Sequence, residues 1–420
     1  MNSGKQTTIG EVCSRFSSGK AIMASEIKQK GKYPVFGGNG IRGYASIYNF
    51  DGECAIIGRQ GAYCGNVRYF SGKAYITEHA IVACAKPEYD TGYFAYKLSL
   101  LNLSKYQGQS AQPGLSVNTL SKIKIDFPSL ETQKEVFAVL NSIDKMIENN
   151  SKVNIELEAM VKTIYDYWFL QFNFPDENGK PYKLSGGKMV WNGELRQEIP
   201  EGWKEGRLNY FIKNDKGGDW GKDREQGNYK KKVTCLRGAD FPAISGLTKL
   251  EAPERYIHEK NKYKVLEDGN LIIEISGGSP TQSTGRICYI NENVLKRFEN
   301  DIITSNFCKA IELNNKKYMY WFYVFWCKLY EYNVFFKYEG KTTGIKNLLF
   351  DMLCYDYKII IPNESVIKKY DKKVQGLFDI IQKNQLENQE LASLRDFLLP
   401  LLMNGQVSFK EGDSYEKYIS

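Results

Sequence analysis

The sequence predicts an α+β protein with two globular α/β domains, each followed by a long helix. The two helices are predicted to pair as an antiparallel coiled coil with internal pseudo-twofold symmetry. The segments "IENNSKVNIELEAM" and "IQKNQLENQELASL" share an Ile, two Asn, a Glu and a Leu at one offset, 381 − 147 = 234. In both halves, short strand-like runs give way to a helical pattern. At 420 residues, 42% of them hydrophobic, the chain is long enough for two packed domains.

Residues 1–128 form the first predicted domain. Short apolar runs broken by glycine, such as "YPVFGG" and "ECAIIG", are typical of strands and turns. A strand over 123–127 ends at Pro128, and Ser129 or Thr132 can cap the helix that follows. The proline and the cap mark the domain boundary.

The next segment, 129–172, is predicted to be one helix from about Glu131 to about Leu170. At about 1.5 Å per residue it would be roughly 60 Å long. Its seam residues alternate at spacings of three and four, as in a coiled coil. The seam comprises Ile143, Ile147, Asn150, Asn154, Leu157, Val161, Ile164 and Trp168. Four more residues are expected to widen it: Met146, Val153, Met160 and Tyr167.

The second half repeats this plan, and Pro128 and Pro362 are again 234 residues apart (362 − 128). The remaining segments are predicted to be a polar connector, a second globular domain, a second helix and a tail, at 173–203, 204–362, 363–406 and 407–420. Trp191 and Trp203 are expected to anchor the connector. The second seam comprises Leu377, Ile381, Asn384, Asn388, Leu391, Leu398 and Leu402.

Amides occupy four of these seam positions, namely Asn150, Asn154, Asn384 and Asn388. Polar seam residues weaken a coiled coil, but they pair with each other and so fix its register and orientation. One hypothesis is that the paired helices form a ruler of fixed length. The alternative is that the amides lie on a solvated flank and recur only because the two halves share an ancestor.

The composition narrows the possible functions. The N-terminus has no basic segment followed by an apolar core, so we expect a cytoplasmic protein without a membrane span. The nine cysteines never form a C-x-x-C pair, which predicts reduced packing residues and no metal site. A net charge of +8 is compatible with an anionic partner. The aromatic fraction of 14% suits either a polar recognition surface or tyrosine-rich sheets.

Several segments resemble the specificity subunits of type I restriction–modification systems. "IYDYWFLQFNFPDENGKPYKLSGGKMVWNGELRQEIPEGW" is similar to the central conserved region of that family, and "LLPLLMNGQV" is similar to its C-terminal signature. "YPVFGGNGIRGY", "IIGRQGAYCGNV" and "IIEISGGSPTQSTGRICYI" resemble the glycine-rich cores of its target recognition domains. The resemblance spans nearly the whole chain.

This resemblance implies a non-catalytic DNA reader. Each target recognition domain would read one half of a bipartite sequence in double-stranded DNA. The helices would set the spacer and dock two methyltransferase (modification) subunits, and restriction/motor subunits would complete the complex. No cofactor is expected in this chain, whereas the partner subunits are expected to use S-adenosylmethionine, ATP and magnesium. Two alternatives stay open: an orphan or alternative specificity subunit that retargets a methyltransferase, and the recognition part of a fused restriction–methylation enzyme.

Base reading favours Arg, Lys, Asn and Gln side chains, while hydroxyls and backbone amides suit phosphates. Candidates in the first domain lie among glycines or in a polar loop: Asn39, Arg42, Arg59, Gln60, Asn66, Lys105 and Gln109. Arg59 and Gln60 are the leading candidates, and the alternative for them is a solvated strand end. His79 is predicted to be a packed histidine paired with Glu78 or with backbone. The second domain offers Ser276, Ser279, Thr281, Gln282, Ser283, Thr284, Arg286, Lys341 and Thr342.

Enzymatic alternatives find little support in the sequence. A DNA methyltransferase needs an N-P-P-F or D-P-P-Y type of motif, and the chain contains neither. "EGKTTG" contains the E-x-K of some nucleases, but no Pro-Asp pair precedes it at a plausible distance. The same segment is not a phosphate-binding loop, because Phe335 stands where that loop needs glycine.

Overall fold

The computed structural model describes residues 5–61, 63–108, 114–245, 250–279, 281–341 and 345–407. The candidates Gln109 and Thr342 and all of the tail except Val407 lie outside these ranges. The chain divides into two compact units, residues 1–147 with 390–420 and residues 148–389. Both long helices contribute residues to both units, and each unit is described by itself. Within the described ranges, no helix combines the length and apolarity that a membrane crossing requires.

The first unit contains a six-stranded sheet of order β2-β7-β5-β6-β3-β4, in which only the β3–β6 pair is parallel. A separate antiparallel pair joins β1 to β8. The strands are β1 (Lys5–Thr8), β2 (Cys13–Ser18), β3 (Tyr33–Gly37), β4 (Gly40–Ala45), β5 (Phe50–Gly58), β6 (Val67–Ile76), β7 (Ala80–Ala85) and β8 (Lys124–Phe127). The helices are α1 (Ile9–Val12), α2 (Thr91–Ser99), α3 (Val117–Ser121) and the first part of α4 (Leu130–Tyr165).

Helix α4 begins as the sequence predicts. Strand β8 ends at Phe127, Pro128 follows, and the Ser129 hydroxyl accepts a hydrogen bond from the Thr132 N–H at 3.3 Å. A side-chain oxygen at this position satisfies one of the N–H groups that a helix leaves unpaired at its start. Of the two predicted caps, Ser129 is therefore the one that the structure uses.

The second unit is built from several smaller sheets. A four-stranded sheet has the order β12-β19-β15-β17, two three-stranded sheets have the orders β14-β13-β18 and β16-β21-β20, and β9–β10 and β11–β22 are two-stranded. The strands are β9 (Met189–Asn192), β10 (Gln197–Pro200), β11 (Lys204–Arg207), β12 (Ile212–Gly217), β13 (Tyr229–Leu236), β14 (Glu254–His258), β15 (Leu271–Glu274), β16 (Ser276–Gly277), β17 (Ile287–Tyr289), β18 (Ile302–Thr304), β19 (Cys308–Leu313), β20 (Glu339–Lys341), β21 (Lys346–Leu348) and β22 (Lys358–Ile361). The helices, after the rest of α4, are α5 (Phe241–Ile244), α6 (Glu292–Leu295), α7 (Met319–Glu331), α8 (Phe350–Asp356) and α9 (Glu364–Met403).

An aromatic core holds the connector within the second unit. Trp203 is buried and stacks on Phe174 with 5.1 Å between ring centres. Phe169 packs 6.0 Å from Trp203 and 6.0 Å from Trp321 of α7. Trp191 is 65% exposed, so its predicted role as an anchor is wrong. Strand β9 turns its side chain toward solvent, and Trp203 alone of the two makes the anchoring contact.

The two long helices pair antiparallel, as predicted. Within the second unit, Asn384 Nδ2 donates to Asn154 Oδ1 at 2.8 Å, and Asn150 Nδ2 donates to Asn388 Oδ1 at 3.0 Å. From Asn150 to Asn154 the residue number rises along α4, while the number of the α9 partner falls from 388 to 384. The two helices are therefore antiparallel. Asn150 and Asn384 are equivalent positions of the two repeats, and so are Asn154 and Asn388 (150 + 234 = 384 and 154 + 234 = 388). Exchanging the two repeats therefore converts each amide pair into the other. The pairing is therefore locally pseudo-twofold.

Part of the predicted seam is wrong. Ile143, Asn154, Val161 and Trp168 are buried, as expected. Met146, Val153 and Met160, which were expected to widen the seam, are instead 46%, 47% and 51% exposed. These three residues form a separate apolar stripe at seven-residue spacing on the solvent-exposed side of α4. This stripe is available for another surface.

Candidate nucleic-acid interface

The candidates of the first domain lie on turns that pack closely against one another. A Cβ added at Gly58 would lie 2.4 Å from the Gly38 oxygen and 2.6 Å from the Tyr63 oxygen. A Cβ added at Gly65 would lie 2.5 Å from the Ser104 nitrogen. Only glycine permits these approaches of one turn to the next. The turns carry Asn39, Arg59, Gln60, Asn66 and Lys105.

Arg59 holds this group of turns together from within. Its Nε donates to the Leu115 carbonyl at 3.3 Å, and its Nη1 donates to the Glu78 carbonyl at 3.5 Å. A guanidinium committed to backbone carbonyls is not free to form a bidentate contact with guanine. A base contact by Arg59 stays a prediction, but the geometry favours a supporting role for this side chain.

Gln60 and His79 form a short chain of polar contacts with Glu78. Gln60 Oε1 lies 2.9 Å from His79 Nδ1, and His79 Nε2 lies 3.2 Å from Glu78 Oε1. The pairing of His79 with Glu78 agrees with the sequence prediction. Because its carbonyl oxygen is used inside the protein, Gln60 has its amide N–H groups left for a ligand.

Two arginines present their charge on the surface of the first unit. Arg42 on β4 is exposed, its side-chain stem lies over Gly37, and its guanidinium makes no hydrogen bond with any other described residue. Arg68 on β6 is also exposed, and its Cζ would lie 3.0 Å from a Cβ added at Gly40. Sequence reasoning missed Arg68, because it stands in an ordinary strand pattern. Asn39, Asn66 and Lys105 are exposed as well.

In the second unit, a small sheet brings the two candidate loops together. Ser276 of β16 and Gly340 of β20 both pair with Asn347 of β21. Ser276 Oγ also donates to Asn347 Oδ1 at 2.5 Å. Lys341 is the last residue of β20 and pairs with Lys346. The loop that follows β16 is therefore fixed beside the strand that carries Lys341.

Among the described residues of that loop, the exposed ones lie at its tip. Thr281 and Gln282 are exposed, and Ser279 closes the turn through its backbone and hydroxyl. Ser283 and Thr284 are buried, at 3% and 0% exposure. A DNA contact by these two side chains stays a prediction that their burial does not favour. The Thr284 hydroxyl and N–H both donate to Glu339 inside the protein.

Arg286 is committed to an internal ion pair. Its Nε and Nη2 donate to the two carboxylate oxygens of Glu274 at 2.8 and 2.7 Å. Hydrogen bonding to this carboxylate raises the pKa of Arg286. The bidentate geometry uses the edge that would otherwise read guanine. Its contact with DNA is therefore a prediction that the geometry does not favour.

Burial makes the thiols of several cysteines unreactive. All nine are free thiols, and burial raises the pKa of Cys235, Cys308 and Cys354 to about 12. The thiolate is the form that binds metals and attacks electrophiles, so burial suppresses both. The described part of the chain contains no cluster of three or more His, Cys, Asp or Glu side chains suited to a metal ion.

The fold and sequence match one family of proteins. Residues 3–159 match the family model of the type I restriction modification DNA specificity domain. The MjaIX specificity subunit of Methanocaldococcus jannaschii is 27% identical over 439 aligned positions, which cover 96% of this chain and 92% of that protein. The chain is thus similar to a type I specificity subunit over nearly its whole length.

Two further proteins extend the comparison. The EcoprrI specificity subunit of Escherichia coli is 40% identical over 155 residues, which cover 36% of this chain and 38% of that protein. The crystal structure of a type I restriction–modification S subunit from M. genitalium has a TM-score of 0.58 at 18% identity and covers 95% of both chains. At that identity, the structural match supports the fold alone.

Proposed function

We propose that this specificity subunit reads a bipartite sequence in double-stranded DNA, one half with each domain, while its paired helices fix the gap between the halves. The observation that carries the proposal is the local pseudo-twofold pairing of Asn150 with Asn388 and of Asn154 with Asn384. A chain that duplicates a globular domain and a helix, and pairs the helices antiparallel, is suited to address two half-sites. The amide pairs favour a single register over sliding.

The two half-sites should differ in sequence. The first domain offers Arg42, Arg68 and Asn66 around tightly packed turns, whereas the second offers the loop tip at Thr281 and Gln282. Base specificity depends on the donors and acceptors that side chains present at groove edges. Since the two sets of side chains differ, the bipartite site is expected to be asymmetric.

Exposed apolar residues on the helices support docking of two copies of one partner. Met146 and Ile380 are 46% and 44% exposed, and they are repeat equivalents because 380 − 146 = 234. Met160 and Leu394 are 51% and 47% exposed, and 394 − 160 = 234. Exposed apolar side chains that recur at equivalent positions suit equivalent protein contacts. We propose that two methyltransferase subunits occupy these positions.

The catalytic work is assigned to the partner subunits. In this proposal the methyltransferase subunits bind S-adenosylmethionine, the restriction/motor subunits use ATP and magnesium, and this chain binds no cofactor and acts in the cytoplasm. Its own contribution is to select the sequence. Labelled methyl transfer by the purified chain alone would contradict this assignment.

Coexpression with a cognate methyltransferase subunit tests the proposal. We expect the complex to methylate one bipartite sequence in host DNA and to bind it more weakly as salt rises, because phosphate contacts dominate affinity. Sequencing of methylated host DNA reads the site directly. Methylation of a single continuous site, or of no site by an assembled complex, would contradict the proposal.

Substitution of the exposed helix residues tests the docking. Met160→Asp and Leu394→Asp should each remove one methyltransferase copy, and the double variant should remove both, as measured by native mass spectrometry. Glu156→Ala and Glu390→Ala change an exposed repeat pair on the same helices and serve as matched controls. Two bound copies in the double variant would exclude these positions as the docking site.

A further inference from the structure

A cavity of about 510 Å³ opens in the second unit beside the candidate loop. We call it the Trp220 cavity, and its principal lining residues are Trp220, Arg237, Glu274, Arg286, Asn306 and Phe307. Ser276 and Gly277 of β16 also line it, so the cavity is continuous with the loop whose tip is proposed to contact DNA. Its volume lies within the range of small-molecule sites, roughly 300 to 1,000 Å³.

Two aromatic side chains at the cavity are exposed to solvent, and their backbone carbonyls accept hydrogen bonds. Trp220 is 37% exposed. The Arg255 guanidinium lies over one face of its ring, 4.2 Å from the ring centre. Arg255 Nε also donates to the Trp220 carbonyl at 2.9 Å. Phe307 is 55% exposed, and its carbonyl accepts from the Ile275 and Ser276 N–H groups at 2.9 and 3.1 Å. Exposed aromatic faces of this kind favour a flat partner.

The charged groups of the cavity neutralise each other. Glu274 and Arg286 form the bidentate pair described above, and Arg237 makes a bidentate pair with Asp240 at 2.9 and 2.8 Å. Two paired cations leave no excess positive charge for a phosphate. The cavity therefore suits an uncharged ligand better than an anion.

Two polar groups at the cavity have no partner among the described residues. Arg237 uses Nε and Nη2 on Asp240 and the Glu251 carbonyl, and its Nη1 makes no hydrogen bond there. The Asn306 side chain is exposed and likewise makes no hydrogen bond within the described residues. An asparagine amide presents a donor and an acceptor side by side, which matches the edge of a nucleobase.

We infer that the Trp220 cavity receives one nucleobase that leaves the stacked duplex, between the Trp220 and Phe307 rings and against Asn306. The inference rests on the proposed function, since it requires DNA at the neighbouring loop. A stacked base cannot enter a cavity, so the nucleotide must rotate out of the duplex at the cost of its pairing and stacking. Aromatic stacking and hydrogen bonds to the base edge offset that cost. The cavity would thus recognise one base of the second half-site after that base has left the duplex, and not through a DNA groove.

Mismatched duplexes test this inference. The full chain in complex with its methyltransferase is titrated with a duplex of the target sequence, as identified from methylated host DNA. It is also titrated with duplexes in which one base is changed in the strand opposite the base that would be extruded. This leaves the base to be extruded intact but unpaired. At one position of the second half-site, the mismatch should strengthen binding about tenfold or more, because less pairing must be broken.

Four variants connect that gain to the cavity. Trp220→Ala and Asn306→Ala should abolish it, and Trp220→Phe, which keeps an aromatic face, should retain most of it. Tyr263→Ala removes a 67% exposed aromatic residue outside the cavity and should leave the gain unchanged. Thermal melting of each variant verifies that it is folded.

The outcomes separate this inference from the proposed function. If the wild-type complex prefers its target but no mismatch in the second half-site strengthens binding, the inference fails and the proposed function stands. A gain that survives in folded Trp220→Ala and Asn306→Ala variants also overturns the inference, because the base then enters another site. If the wild-type complex does not prefer its target over unrelated DNA, the proposed function fails as well.

Discussion

Arginine side chains in this chain have two distinct environments, and the sequence does not distinguish them. Arg59 and Arg286 both stand among glycines, and both turn out to hold internal acceptors. Arg42 stands in a similar glycine-rich segment and is exposed without a hydrogen bond to the described residues. Which environment an arginine has depends on loops far away in sequence, such as Leu115 for Arg59. Candidate arginines could be selected from the sequence, but the environment of each arginine could not be predicted from it.

Arg42→Ala should weaken specific DNA binding by about 1–3 kcal/mol and relax one position of the first half-site, because an exposed guanidinium is free to read a base. Arg59→Ala should instead lower the melting temperature, because two loops lose their shared donor. Fluorescence anisotropy with singly substituted targets, together with thermal melting, measures both effects. A shift of preference in the second half-site would show that the domains are assigned to the wrong halves.

Asp371 on α9 gives the second unit a pH-dependent stability. It is 6% exposed, and burial raises its pKa to about 8, although N–H groups of Tyr320 and Trp321 donate to it. The folded state therefore keeps a proton that the unfolded chain releases above the ordinary aspartate pKa of 3.8. This group's contribution to stability falls as pH rises from about 4 to about 8.

Asp371→Asn removes the titration and keeps one oxygen acceptor, which can still accept from the Trp321 N–H. The free energy of unfolding of the variant minus that of wild type should be larger at pH 8.5 than at pH 5, because only wild type loses stability as Asp371 deprotonates. Chemical denaturation at both pH values measures the difference between the two proteins, which cancels most other titrating groups. An equal difference at both pH values would contradict the assigned protonation.

At the scale of elements, the helices were the most predictable part of the fold. A seam at spacings of three and four identified α4 and α9, and the proline and serine before α4 identified its start. Periodicity could not decide which apolar stripe faces the other helix, so Met146, Val153 and Met160 were misplaced. The Trp220 cavity was also beyond sequence reasoning, since its lining residues come from five separate segments between 220 and 307.

The buried amide pair is expected to set the register of the helices. Asn154→Leu should destabilise the protein by about 1–3 kcal/mol, because Asn384 loses its acceptor in a partly buried seam. Asn154→Leu combined with Asn384→Leu should recover this stability, since an apolar pair suits a seam, but should permit more than one gap length in the methylated sites. Denaturation and sequencing of methylated DNA provide the two measurements.

Asn150→Leu is the matched control for the single substitution. Asn150 is only partly buried and bonds to Asn388 and to Glu387 near solvent, so its loss should cost less than that of Asn154. A single gap length in the double variant would contradict the register role and would leave the four amides as relics of duplication.

At the scale of the whole molecule, the duplication was evident from the sequence, but a suitable place to lengthen the helices was not. The end of the first helix near Leu170 looks open in sequence. In the structure Phe169 and Phe172 on either side of Leu170 are buried, so an insertion there would disturb the core. In the antiparallel pair, the numbers of two opposed residues add up to 538, as they do for Asn150 and Asn388 (150 + 388 = 538). The point between Ile147 and Glu148 therefore lies opposite the point between Glu390 and Leu391 (147 + 391 = 538). Equal insertions at these points lengthen both helices together.

Inserting seven residues after Ile147 and seven after Glu390, and then sequencing the methylated DNA, is the most direct test of whether the helices set the spacing. Seven residues preserve the seam spacing and add about 10 Å at about 1.5 Å per residue. At about 3.4 Å per base pair, this corresponds to about three base pairs. We predict unchanged half-sites separated by a gap about three base pairs longer. An active complex with an unchanged gap, or with altered base preference in either half-site, would contradict the claim that the helices set the spacing and the domains read the sequence.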